Sequence, residues 1–265
     1  MQSLTHIRRH RLVTRVACIA ALLLTVVPLA GASVITFAQF HESATTNANL
    51  FDYVNNTTSA VFDTNPGTLG AGIPVVFSYE TVNGVLPADL QGPQNAILTL
   101  TSNTSLPAVQ VTGSIATEQI GTTSSLAELT ITRTTPAAEG GGNRTNLLSM
   151  AFDGTLLGMI GGVTPQFSGN SNLGNTVTYS SDFLNFSSST EQNFSLTYTS
   201  WTTNSSDSNN GLGLEIGPGS FFEPATATGA GTFDASSASV VPEPATLALA
   251  FTTIFPLLAR RPRRR

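Results

Sequence analysis

The stretch Phe194-Ser195-Leu196-Thr197-Tyr198-Thr199 alternates strictly, with Phe194, Leu196 and Tyr198 on one side and hydroxyl side chains on the other. Successive side chains of an extended chain point to opposite faces, so period 2 with one apolar face predicts a strand packed on one side. Val75-Val76-Phe77-Ser78-Tyr79-Glu80 repeats the pattern with Val75, Phe77 and Tyr79 together. Leu129-Thr130-Ile131-Thr132 and Thr176-Val177-Thr178-Tyr179 alternate as well. Three pairs read as hairpin turns: Asn83-Gly84, Thr112-Gly113, and Asp153-Gly154 between Leu147–Phe152 and Thr155–Ile160. Such pairs tolerate the positive φ that tight turns need. Many short strands with polar turns predict an all-β fold, an antiparallel β-sandwich or jelly-roll-like ectodomain over residues 33–234.

Composition supports that class. Only 10% of the 265 residues are charged, against roughly a quarter in ordinary soluble proteins. Ser, Thr, Asn and Gly fill the gap, and β-branched Thr suits a pleated surface. There is no lysine, and only Arg133 and Arg144 fall between the two arginine-rich ends. Residues 33–240 hold 15 acidic residues against those two arginines, a formal net charge of −13. A domain so acidic repels nucleic acid and anionic surfaces, so no nucleic-acid partner is expected. The single cysteine, Cys18, lies in the N-terminal apolar run. Thiol catalysis, zinc–cysteine sites and disulfides are therefore excluded from the remainder, and a domain of about 200 residues can fold without them.

Both ends read as targeting segments. Residues 1–32 have the three parts of a signal peptide: basic Arg8-Arg9-His10-Arg11, an apolar run from Val16 to Val27, and small residues Ala30-Gly31-Ala32 before Ser33. Cleavage is expected after Ala32, with Ala30 and Ala32 as the small recognition residues and Ser33 as the new N-terminus. The apolar run is too short to span a bilayer comfortably. Residues 235–240, rich in Ser and Ala, read as a flexible tether. Residues 241–265 then give Val241-Pro242-Glu243-Pro244-Ala245-Thr246-Leu247, an apolar stretch to Ala259 read as a hydrophobic helix, and Arg260-Arg261-Pro262-Arg263-Arg264-Arg265. Two prolines hold the motif extended, as a ligand for an enzyme cleft. The apolar stretch can enter a membrane, and the terminal arginines stay on the cytoplasmic side.

These three parts, in order at the extreme terminus, resemble the PEP-CTERM sorting signal. A tail of this type also carries the name ice-binding-protein C-terminal domain, which describes the tail and implies no ice binding. The resemblance implies processing by an exosortase, a membrane-bound transpeptidase-like enzyme, in bacteria that make extracellular polysaccharide. It is carried by Val241, Pro242, Glu243 and Pro244, with Arg260, Arg261, Arg263, Arg264 and Arg265 as the cytoplasmic stop. The apolar stretch is shorter than usual and Pro256 interrupts it. Ser181–Phe186, Phe194–Thr199, Phe221-Phe222 and Thr226–Phe233 loosely resemble the last strands of such ectodomains.

Catalytic patterns are scarce. Outside the signal peptide the one histidine is His41, and no Gly-x-Ser-x-Gly elbow accompanies it. It reads as a surface or edge-strand residue. Carboxylates that could pair for glycoside hydrolysis include Glu80, Asp153, Glu191 and Glu215. The lone Trp201 offers no tryptophan-rich cleft. Gly211–Gly217 lacks the spacing and βαβ setting of a dinucleotide loop. Asp207-Ser208-Asn209-Asn210-Gly211 has oxygen donors at calcium-loop spacing but no later bidentate Glu. The reading is a non-enzymatic protein of the cell surface or extracellular matrix. It has no catalytic residues, cofactor or resident metal. It is exported by the general secretion machinery, membrane-anchored by its tail, and then delivered to the surface or outside the cell. The alternatives are a carbohydrate-binding or adhesive module, helped by calcium and directed at extracellular polysaccharide, and behind it a polysaccharide hydrolase.

Overall fold

The computed structural model describes residues 33–43, 50–65, 68–136, 144–204 and 213–241. The signal peptide and the C-terminal apolar segment lie outside the described residues. The strands, in chain order, are β1 (Ile35–Glu42), β2 (Phe51–Asn55), β3 (Ala60–Thr64), β4 (Ile73–Tyr79), β5 (Gln94–Thr101), β6 (Val109–Thr112), β7 (Ile115–Ile120) and β8 (Ala127–Arg133). They continue with β9 (Asn146–Phe152), β10 (Gly154–Met159), β11 (Gln166–Asn170), β12 (Val177–Ser180), β13 (Leu184–Asn185), β14 (Gln192–Thr203), β15 (Ala225–Ala235) and β16 (Ser239–Val240). Helical structure among the described residues is confined to three short 3-10 turns.

Twelve strands form one curled antiparallel sheet in the order β12-β9-β8-β5-β4-β1-β15-β14-β11-β10-β7-β6, and β2 and β3 attach beside β15. The all-β antiparallel class expected from alternation is what the chain adopts. Rings from distant positions in the sheet meet across the core: Phe152 of β9 lies 4.5 Å from Phe194 of β14 and 5.4 Å from Phe167 of β11, centroid to centroid. β15 sits mid-sheet, bonded to β14 on one edge and to β1 and then β2 on the other. Its residues are small because neighbours fill the space. A Cβ on Gly231 would overlap Leu196 and Phe40.

The four strands read from alternation fall in β14, β4, β8 and β12, with the expected apolar faces buried. Thr112-Gly113 does close a hairpin, pairing Thr112 with Ile115 at a glycine of φ +54°. The other two turns are not tight hairpins. β9 pairs with β8 and β12, whereas β10 pairs with β7 and β11, so Asp153-Gly154 is a corner between distant parts of the sheet. Asp153 is tied there by Asn175 Nδ2 at 2.9 Å and the Thr176 N–H at 3.2 Å. Asn83 makes a lone parallel bridge to Ser239 instead of turning β4 into β5.

β14 carries a bulge between Thr199 and Thr202. Strict alternation through Tyr198 would point Trp201 outward. The extra residue, with Ser200 at φ +55°, turns Trp201 inward to 1% exposure. It joins Tyr53, Phe62 and Tyr198, whose ring centroids lie 5.8 to 6.2 Å from its own. Edge-to-face and tilted ring pairs of this kind contribute about 1 kcal/mol each beyond buried area.

Candidate functional site

Val241 is the one residue of the sorting motif among the described residues. Pro242, Glu243, Pro244, the cleavage residues Ala30 and Ala32, and Arg260, Arg261, Arg263, Arg264 and Arg265 lie outside them. Ser33 is exposed just ahead of β1.

Residues 235–240, expected as a tether, are packed on the domain. Ala235 ends β15 and is buried, as is Ala238. The Ser236 hydroxyl accepts from the Thr190 and Glu191 N–H groups at 2.8 and 3.1 Å. β16 then pairs with β13, Leu184 opposite Val240 and Asn185 opposite Ser239, and the Val241 N–H donates to the Phe183 carbonyl at 2.9 Å. On the other side of β16, Asn83 N–H donates to Ala238 O at 2.8 Å and Val240 N–H to Asn83 O at 2.9 Å. Small side chains suit close packing as well as flexibility, and here packing prevails because the backbone groups find partners on both sides.

Beside this clasp lies a depression of about 460 Å³, open to solvent and lined by Thr178, Ser180, Ser181, Asn185, Ser187 and Gln192 over Tyr179, Phe186 and Val241. Hydroxyl and amide side chains share its lining with apolar groups, and Tyr179 and Phe186 beneath are buried. No charged side chain lines it.

Glu80 is engaged apart from Asp153 and Glu191, which are linked through Asn175, Asn170 and Asn172. Glu80 accepts from Gln39 Nε2 at 2.6 Å, Asp153 holds the corner described above, and Glu191 accepts from Asn172 and Asn193 side chains. The Glu215 carbonyl accepts from the Glu223 N–H at 2.8 Å. His41 is exposed on β1, its Nδ1 2.9 Å from the Glu42 carbonyl oxygen. Among the described residues no group of three or more His, Cys, Asp or Glu could hold a metal ion, and no helix is long and apolar enough to cross a membrane.

One strongly perturbed carboxyl was not singled out from sequence. Glu118 of β7 is 1% exposed. The Tyr53 hydroxyl lies 2.7 Å from both of its oxygens, and the Phe222 N–H donates to Oε2 at 3.2 Å. Burial pushes its pKa up to about 7, although both hydrogen bonds pull the other way. Burial also drives Tyr53 well above the usual phenol range. The signal was present: Ala116, Glu118 and Ile120 share one face of β7, and that face is the core. A second carboxyl, Asp63, sits opposite Asp52 in the β2–β3 register. Burial raises Asp63 to about 6 and the Asp52 charge adds to this, opposed by a 2.6 Å bond from the Ser102 N–H.

No family model matches the chain, and neither the curated proteins nor the solved structures contain a match.

Proposed function

We propose that this is an exported, non-enzymatic protein of the cell surface or extracellular matrix, sorted by its C-terminal tail. The observation that carries the reading is the ordered tail: a proline-bracketed glutamate, an apolar stretch and a terminal arginine cluster. The signal-peptide-like start supports export, and the low-charge, hydroxyl-rich strands suit an extracellular β domain. We read the curled sheet as a sandwich in which facing parts share the aromatic core. The test replaces Pro242, Glu243 and Pro244 with alanine and compares the mass and location of the exported chain. Loss of C-terminal processing and of surface delivery is expected. Unchanged processing overturns the sorting assignment.

The depression beside β13 favours a second reading, a carbohydrate-binding or adhesive module. Hydroxyl and amide groups beside apolar surface match the polar rim and apolar face of a sugar. Pull-down on extracellular polysaccharide, with and without a chelator, tests this and a calcium requirement together. Absence of retention in both arms rejects it. A polysaccharide hydrolase has the least support, because Asp153 and Glu191 are tied into one asparagine network through Asn175, Asn170 and Asn172, and none of Glu80, Asp153, Glu191 and Glu215 lines the depression.

A further inference from the structure

Asn83-Gly84 carries the sequence of a tight turn but serves as an anchor for β16. Both residues are exposed. The Asn83 main chain is fixed on both sides, its N–H donating to Ala238 O at 2.8 Å and its carbonyl accepting from the Val240 N–H at 2.9 Å. The Asn83 side chain and the Gly84 N–H, by contrast, have no hydrogen-bond partner among the described residues. Gly84 stands at φ +115° and has no Cβ to shield its nitrogen.

An asparagine side-chain carbon is open to attack by the backbone nitrogen of the next residue. Hydrogen bonds on either group oppose that attack, and so does a bulky following side chain. Other asparagines of the domain are held in this way. After Asn56 the Thr57 N–H donates to Asn55 Oδ1 at 2.7 Å, and after Asn103 the Thr104 N–H donates to Ala60 O at 2.8 Å. At Asn170 and Asn185 the side chain itself accepts, from the Asn172 N–H at 2.8 Å and the Ser187 N–H at 2.9 Å. At Asn83-Gly84 both reacting groups are free, and the second residue is the least hindered one available.

We propose that Asn83-Gly84 is a site of spontaneous covalent modification, closing to a succinimide that opens to aspartate and isoaspartate, and that the conversion loosens the hold on β16. In the first step the Gly84 nitrogen bonds to Asn83 Cγ, the Cγ–Nδ2 bond breaks, and the Gly84 proton leaves with the amide as ammonia. Water then opens the ring. Attack at Cγ gives aspartate. Attack at the main-chain carbonyl gives isoaspartate, whose main chain runs through the former side chain and is one methylene longer. The carbonyl that accepted from Val240 then belongs to a free carboxylate. Gly84 has little slack for the longer path, since a Cβ placed on it would lie 3.2 Å from Val240 Cβ. Either product also adds a negative charge to residues 33–240, already at a formal −13.

The test ages the purified full-length chain in mild detergent at mildly alkaline pH, digests it at acid pH and maps conversion by mass spectrometry, tagging isoaspartate with an isoaspartyl methyltransferase. The peptide holding Asn83 should convert at least tenfold faster than those holding Asn103 or Asn185. Asn210-Gly211, outside the described residues, is scored on its own peptide. Converted chains, separated by their added charge, should exchange the Val240 amide hydrogen at least tenfold faster than fresh protein, and aged Asn83→Gln, whose longer side chain closes a ring far more slowly, should not. Conversion at Asn83 no faster than at Asn103 and Asn185 overturns the proposal. So does Val240 exchange that conversion leaves unchanged, or that rises equally in aged N83Q.

Discussion

Replacing Glu118 by glutamine should flatten the dependence of stability on pH between about pH 5 and pH 8. The folded-state pKa of Glu118 is about 7, against 4.5 for an exposed carboxyl. Between those values the native protein holds a proton that the unfolded chain releases. Raising the pH through this window therefore draws the equilibrium toward the unfolded state. The stabilisation is complete below the unfolded pKa and is lost as pH passes the folded pKa. At about 1.4 kcal/mol per pH unit the loss from this one group is about 3 kcal/mol. Glutamine fits the same space and cannot ionise, so that component disappears in the variant. Asp63, raised to about 6, and Glu42, raised by burial against a 2.6 Å bond from the Gly229 N–H, contribute slopes of the same sign. They remain in both proteins and cancel in the difference. Urea unfolding at pH 5, 6, 7 and 8 can be followed by Trp201, the only tryptophan, whose ring centroid lies 6.1 Å from that of Tyr53. Parallel curves for wild type and E118Q across that range would refute the buried-proton account.

Phe62→Ala removes a ring that contacts Phe51, Tyr53, Phe167, Tyr198 and Trp201; a loss of about 4 kcal/mol is expected in urea unfolding, and a loss below about 1 kcal/mol rejects the central role of that cluster. Gly219 has φ +69° and no room for a side chain, because a Cβ there would collide with the Thr57 carbonyl; Gly219→Ala should destabilise by about 2 kcal/mol or more, read as a lowered thermal midpoint, and an unchanged midpoint would mean the two loops do not pack as described.

Strand identity was legible because the sequence alternates where one face is buried. Phe194, Leu196 and Tyr198 all point inward as read. The connections were not legible. Asp-Gly and Asn-Gly announce a change of direction, but partner choice depends on residues far away. At Asp153 the deciding contacts come from Asn175 and Thr176. Trp201 escaped the pattern because a bulge adds a residue that alternation does not mark. Glu118 escaped for another reason: a carboxylate is taken as outward unless its neighbours on the same face are weighed. Its partner Tyr53 stands 65 positions away, so the pair is visible only once β2 and β7 are placed. The hydroxyl-lined depression draws on β12, β13 and the start of β14, and no local motif links them.

The clasp around β16 has a mechanical corollary. Were the tail fixed and the domain dragged by flow, load would enter at Val241 and meet the bonds to Phe183 and Asn83 first. Only Ser236–Ala238 separate that clasp from Ala235, the last residue of β15. A two-residue strand, bonded on both sides, thus stands as a fuse before β15. Such a load would open β16 ahead of β15, which is paired on both edges.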